Sequence, residues 1–342
     1  MSRFLLVRLG ALGDIVHAIP VAAALSRAFP SARIDWLVSA KHRGLLDLVP
    51  VIDRRLVIND RGDAAGGTSL LTTIHELRRS RYDVVFDLQG LLKSAALARL
   101  SGAPRVVGFS LNYLRERLAR PFYTEVYDPG GGGMYDPRER SHVVQMNLGL
   151  LTAIGVPISA PEFPIERVDT EVARTMRERA GNRYVLVNPG AAWPNKRWPP
   201  ARYGAVARAI DERHGLKTIV SWGPGEEPLA QEVVRESSGA ALLPPKSSIA
   251  DLLALIRGAA LMISGDTGPT HVAAALGTPI VGLYGPTRPS RNGPWAPDDI
   301  TISRDAFCQC HHLRRCTRDR MCLLDVEAAE VLDAVERRLA AV

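Results

Sequence analysis

Twice along this chain, apolar runs of four to six residues alternate with helical patterns, and a proline-rich stretch separates the two series. In the first half, residues 4–8, 33–38, 55–58, 83–87 and 105–109 read as strands. Helices are expected over 15–29 and 72–79, and again after Gln89-Gly90. Short apolar runs of this kind mark strands buried on both faces of a parallel sheet. Residues 128–140, with four consecutive glycines at 130–133, cannot hold regular structure and are expected to form a mobile surface loop. A helical pattern returns over 141–154, and 156–164 carries three prolines and reads as a linker. The rhythm then restarts, with strands at 184–188, 217–221, 240–243, 261–264 and 280–284. Helices fall at 201–213, 227–236, 249–258 and 270–276, and an amphipathic helix at 326–339 follows. A length of 342 residues suits two domains. The expected division is 1–160, 161–325 and a C-terminal helix at 326–342. Both domains read as doubly wound α/β sheets, facing a cleft at their C-terminal strand ends where ligands settle.

Composition closes off other classes. With 46% hydrophobic and 23% charged residues, the chain is neither disordered nor collagen-like, and 4 Cys make no disulfide scaffold. No apolar run reaches the roughly 20 residues that span a bilayer. The N-terminus lacks a signal peptide's apolar core and cleavage site, so a cytoplasmic protein with reduced thiols is expected. The net charge of +7 comes from 38 Arg against 5 Lys. Such a bias reflects either genome composition or an anionic partner. No basic run interleaved with aromatics is present, which argues against nucleic acid and favours a small anionic ligand or a lipid headgroup.

Four segments at strand–helix junctions carry candidate chemistry. Arg8-Leu9-Gly10-Ala11-Leu12-Gly13-Asp14 lets a backbone approach closely and opens a helix, but it is not the G-x-G-x-x-G dinucleotide fingerprint. Asp14 is either a helix cap or a general base at the cleft edge. Asn188-Pro189-Gly190 through Lys196-Arg197-Trp198-Pro199 places two cations past a strand end, where they either face solvent or neutralise a phosphate. Glu226 or Glu227, opening the next helix, either complements the helix dipole or accepts from ribose hydroxyls. Ser264-Gly265-Asp266-Thr267-Gly268-Pro269-Thr270-His271 exposes several N–H donors at a junction, which suits a diphosphate. Further on, Cys308, Cys310, Cys316 and Cys322 lie at C-x-C-x5-C-x5-C beside His311 and His312. That spacing departs from paired C-x2-C zinc sites, so reduced structural thiols are preferred to a structural metal site, which would pin the final helix.

Together these segments resemble glycosyltransferase family 9, the ADP-heptose:lipopolysaccharide heptosyltransferases. The resemblance is carried by Gly13-Asp14, Asp87-Leu88-Gln89-Gly90-Leu91-Leu92-Lys93-Ser94, Lys196-x-Trp198-Pro199, Gly225-Glu226, Asp266-Thr267-Gly268-x-x-His271 and Tyr284-Gly285-Pro286-Thr287. The 89–94 stretch is most similar to the heptosyltransferase I branch. The resemblance implies a GT-B fold with acceptor on the first domain and nucleotide sugar on the second. It implies inverting transfer of heptose from ADP-L-glycero-D-manno-heptose to a Kdo–lipid A inner core, with no cofactor and no divalent metal. The absence of a D-x-D motif agrees. Asp14 and Lys196 are then catalytic, and Gly190, Lys196, Glu226, Asp266, Thr267, Gly268 and His271 bind the donor. Arg8, Gln89, Lys93, Arg115 and Arg117 bind the anionic glycolipid acceptor, at the cytoplasmic face of the inner membrane where the protein is peripheral. Another nucleotide sugar, a protein acceptor or an epimerase activity are the alternatives.

Overall fold

The computed structural model describes residues 1–59, 67–136, 138–308, 310–311, 313–316 and 320–341. Two units divide between Glu166 and Arg167, a few residues past the expected boundary at 160. In the first, β1 (Arg3–Val7), β2 (Arg33–Ser39), β3 (Arg54–Ile58), β4 (Val84–Asp87), β5 (Arg105–Phe109) and β6 (Glu125–Tyr127) form one sheet in the order β3-β2-β1-β4-β5-β6. The second holds β7 (Val185–Asn188), β8 (Thr218–Val220), β9 (Ala241–Leu242), β10 (Leu261–Gly265), β11 (Ile280–Tyr284) and β12 (Ile300–Ser303), ordered β12-β11-β10-β7-β8-β9. The strand pairs are parallel in both sheets. Each unit therefore repeats one doubly wound topology. β6 and β12 escape the sequence reading because they are short, half-exposed edges without an apolar run.

Strand order reverses at the centre of each sheet, between β1 and β4 and between β7 and β10. Val7 lies opposite Asp87 in the first pair and Ser264 opposite Asn188 in the second. Chain crossings leave these neighbours in opposite directions, so a crevice opens at their C-terminal ends, the usual ligand position in such sheets. Residues 8–14 and 88–91 leave the first reversal; 189–199 and 266–267 leave the second.

Two helical expectations change. The single helix over 15–29 is two, Leu12–Val16 and Ile19–Ala28. Pro20 has no N–H to return to the Val16 carbonyl, which breaks the ladder, and the His17 carbonyl accepts instead from Asn147 Nδ2 at 3.0 Å. The pattern over 141–154 is an α-helix, Val143–Gly149, that tightens to 3-10 over Leu150–Ile154 and stops at Gly155, whose φ is +79°. The described part of 128–140 has neither helix nor strand, as expected, yet it is pinned rather than loose. Buried Glu139 accepts from the Tyr113 hydroxyl and from the Ser141 N–H, and that hydroxyl in turn accepts from Gly131 N–H at 3.0 Å.

The second unit's core joins Val185, Val187, Ile263 and Val281 of the sheet to Trp198, Tyr203, Val331 and Val335. Trp198 packs edge-on against Tyr203 and donates its indole N–H to the Val326 carbonyl at 2.9 Å. The last helix, Ala328–Ala340, belongs to this core and does not stand apart. Its buried Arg338 sets Nε 3.3 Å from Asp299 Oδ1, and that oxygen also accepts the Ile280 N–H at the start of β11. Among the described residues no helix is long and apolar enough to cross a membrane.

Candidate functional site

At the first unit's reversal, Asp14 stands in the opening turn of the helix Leu12–Val16, with its side chain 44% exposed. Oδ2 accepts the Ala11 N–H at 3.1 Å, and Oδ1 lies 2.8 Å from Arg8 Nη2. Asp14 thus closes a capping box onto the Ala11 N–H and still presents an exposed carboxylate. A carboxylate fixed by two donors yet open to solvent can still accept a proton from an incoming hydroxyl. Gln89, half-buried, accepts the Leu9 N–H on Oε1 at 2.7 Å. Lys93 is exposed in the first turn of the helix Leu92–Leu100, and Arg115 and Arg117 are exposed on the segment after β5. Arg8, in contrast, turns its guanidinium onto protein groups.

At the second unit's reversal, Lys196 Nζ lies 2.5 Å from Asp266 Oδ2 and 4.5 Å from the Trp193 ring centre. Asp266 Oδ1 meets His271 Nε2 at 3.1 Å. Asp266 and His271 are buried and Lys196 is nearly so. Burial alone would push the Asp266 carboxyl up, but the Lys196 ammonium and His271 hold it well below the usual carboxylate range. Thr267 is the N-cap of the helix Gly268–Leu276, but its hydroxyl does not cap the helix. Instead it meets the hydroxyls of Ser264 and Thr270 at 3.2 and 3.3 Å. The several N–H donors expected here reduce to that of Gly268 at the positive end of the helix, because Pro269 has none and the Thr270 and His271 N–H groups go to the Thr267 carbonyl at 3.1 and 3.4 Å. Gly265 is required by close packing: a Cβ there would sit 2.9 Å from the Lys196 carbonyl.

Glu226 and Glu227 separate cleanly. Glu226 folds back to accept the Gly223 N–H at 3.0 Å and lies against Gly190, where a Cβ would come within 2.1 Å of its Oε2. Glu227 is exposed and accepts from Gln231 on its own helix. Arg197 donates Nε to the Ala191 carbonyl at 2.8 Å, so it braces the loop from which Lys196 projects. Asn188, which carried no role of its own in the sequence, holds the Gly190 carbonyl through Nδ2 at 2.9 Å while its Oδ1 accepts from Ser221. The buried Tyr123, which donates its hydroxyl to Asp87, was not foreseen at all. A polar residue ending a buried strand was the available signal for Asn188; Tyr123 offered none.

The four cysteines are free thiols that lie together, with Cys308 and Cys310 Sγ 3.4 Å apart. They lie beside the loop that carries Lys196. Asn195 Nδ2 donates toward Cys310 Sγ at 3.7 Å and to the Leu313 carbonyl, and Cys322 lies beside Gly285. His311 bonds the Pro286 and Asp305 carbonyls; His312 lies outside the described residues. Among the described residues, no three or more His, Cys, Asp and Glu side chains are arranged to hold a metal ion.

The sequence pattern of glycosyltransferase family 9 (heptosyltransferase) matches residues 70–321, well over half of the chain. The chain belongs to glycosyltransferase family 9. This family 9 enzyme is 30% identical to lipopolysaccharide heptosyltransferase 1 of Pseudomonas aeruginosa over 325 residues, 92% of this chain and 87% of that protein. It is similar in structure to the family 9 glycosyl transferase of Veillonella parvula, with a TM-score of 0.77 and 25% identity over 100% of this chain and 98% of the other. Escherichia coli heptosyltransferase WaaC with ADP aligns at TM-score 0.72 and 22% identity, over 99% of this chain and 100% of the other. The family 9 chain is a glycosyltransferase of the GT-B fold, with two parallel six-stranded α/β units.

Proposed function

We propose that this family 9 glycosyltransferase moves a heptosyl group from ADP-L-glycero-D-manno-heptose to a Kdo–lipid A inner core, in lipopolysaccharide biosynthesis. The observation that carries the donor side is the buried Lys196–Asp266–His271 group beside the start of the helix Gly268–Leu276. The heptosyltransferase names of its relatives, and the ADP in one of their structures, support heptose and adenine as the chemistry. In an inverting displacement, Asp14 takes the proton of the acceptor hydroxyl as that oxygen bonds to the anomeric carbon. The bond to the diphosphate breaks on the opposite face. Negative charge grows on the leaving diphosphate, and Lys196, the Thr267 hydroxyl and the Gly268 N–H are the groups to receive it. Glu226, set against Gly190, holds the ribose. No divalent cation is needed where an ammonium and a helix start do this work. Lys93, Arg115 and Arg117 meet the anionic headgroup of the acceptor, at the cytoplasmic face of the inner membrane, where the protein is peripheral.

Nucleotide selection tests the donor half of this reading. ADP at about a hundred times its Kd stabilises the folded state by about 2.7 kcal/mol, so the unfolding midpoint should rise by several degrees. UDP and GDP at the same concentration should shift it far less, and EDTA should leave the ADP shift intact. Equal shifts for all three nucleotides, or an ADP shift that needs Mg²⁺, would point to another donor chemistry.

A further inference from the structure

Arg8 extends from the end of β1 and is covered to 12% side-chain exposure. Its Nη1 donates to the Leu88 carbonyl and its Nη2 lies 2.8 Å from Asp14 Oδ1. Its Nε is buried with no acceptor. Both terminal nitrogens of this guanidinium are committed to protein groups and its Nε is shut away from solvent, which leaves little of it for an arriving acceptor phosphate. The carbonyl it grips belongs to a loop that is itself fixed from below. Asp87, fully buried at the end of β4, accepts on Oδ1 from the N–H groups of Gln89 and Gly90 at 2.9 and 3.3 Å. Its Oδ2 accepts from the hydroxyls of Tyr123 at 2.7 Å and Ser94 at 2.9 Å. Burial pushes the Asp87 carboxyl up while those four donors pull it back. A second tie returns to the loop that holds Asp14: Gln89 Oε1 accepts the Leu9 N–H. Trp36 adds a third by donating its indole N–H to the Arg8 carbonyl at 3.1 Å.

We propose that Arg8 is a positioning residue for Asp14, transmitting to its carboxylate the geometry that buried Asp87 imposes on residues 88–91. This rests on the reading of Asp14 as the base. The planar guanidinium serves because it reaches two acceptors in different directions at once, which the compact ammonium of lysine does not do. Asp87 never meets substrate; it acts through the loop and Arg8. Gln89 acts in the same way through Leu9.

Steady-state and single-turnover kinetics of Arg8→Gln, Arg8→Lys and Gln89→Ala, each also in the Asp14→Asn background, test this. Misplacing a reacting group by about 1 Å can cost about 100-fold, so Arg8→Gln should lower kcat about 10- to 100-fold. Both KM values should stay within about twofold of the parent enzyme, since uniform binding is untouched. Arg8→Lys should recover only part of the loss, and Gln89→Ala should show a smaller kcat loss of the same kind. In the Asp14→Asn background, Arg8→Gln should cost almost nothing more, as expected of groups acting as one unit. A raised acceptor KM with kcat preserved would make Arg8 an acceptor contact and overturn the proposal. So would an Arg8→Gln loss that is fully additive to a crippled Asp14→Asn enzyme. Should Arg8→Gln fail to fold, Gln89→Ala decides by the same additivity comparison. Asp14→Asn that keeps more than about a tenth of turnover overturns the base reading itself, an outcome distinct from the other two.

Discussion

Asp14→Asn should lose about 10²- to 10⁴-fold in kcat, the range in which general-base removal falls, while the donor Kd stays near that of the parent enzyme. The expectation follows from where the residue sits. Asp14 lies in the first unit at the reversal between β1 and β4, whereas the groups proposed to hold the donor belong to the second unit. Its carboxylate is fixed by Arg8 and the Ala11 N–H and keeps 44% side-chain exposure. Asparagine preserves shape and an acceptor oxygen but takes up no proton. Titration calorimetry with ADP separates the two quantities. If kcat survives, the base lies elsewhere; if donor binding collapses along with kcat, Asp14 serves the fold or the donor instead.

Lys196→Ala should damage both binding and chemistry. Losing a charged hydrogen bond to phosphate costs about 1.5–3 kcal/mol, or roughly 10- to 100-fold in donor Kd. The charge on the diphosphate rises as the glycosidic bond breaks, so kcat should fall as well, by about 10²–10³-fold, the loss found on removing one such donor. An effect confined to KM would reduce Lys196 to ground-state binding. The same substitution has a signature that needs no substrate. Asp266 is held below its unfolded value by Lys196 and His271. Its stabilising contribution is therefore present above the unfolded value of about 3.9 and lost as pH falls toward the lower folded value. Without Lys196 the buried carboxyl moves back up, so acid unfolding should begin at a higher pH in Lys196→Ala than in the parent.

Strands buried on both faces were legible because they carry continuous apolar runs, and β1, β4, β7 and β10 fall within a residue or two of where the pattern places them. The edges β6 and β12 were not, since a short half-exposed strand has no periodicity to read. The break before Pro20 was written in the sequence but was overridden by a strong apolar helical pattern. Motif residues at the junctions were legible as residue types. Their partners were not, because the contacts are long-range: Lys196 with Asp266, Glu226 with Gly190, and Arg8 with Leu88. The sequence grouped Arg8 with the acceptor residues and could not show that its guanidinium turns onto Leu88 and Asp14. The cysteine spacing likewise could not show that Cys310 settles beside Asn195 and Cys322 beside Gly285, next to the Lys196 loop.

Transfer itself is the most direct test of the central claim. Purified enzyme is incubated with ADP-L-glycero-D-manno-heptose and Kdo–lipid A in EDTA, and the glycolipid is read by mass spectrometry and its new anomeric centre by NMR. The product should be a glycolipid heavier by one heptosyl residue with inverted anomeric configuration, with ADP released in step with it and neither product nor ADP formed when the acceptor is left out. ADP released at the same rate without acceptor, a product of retained configuration, or a donor sugar isomerised and never transferred would contradict that claim.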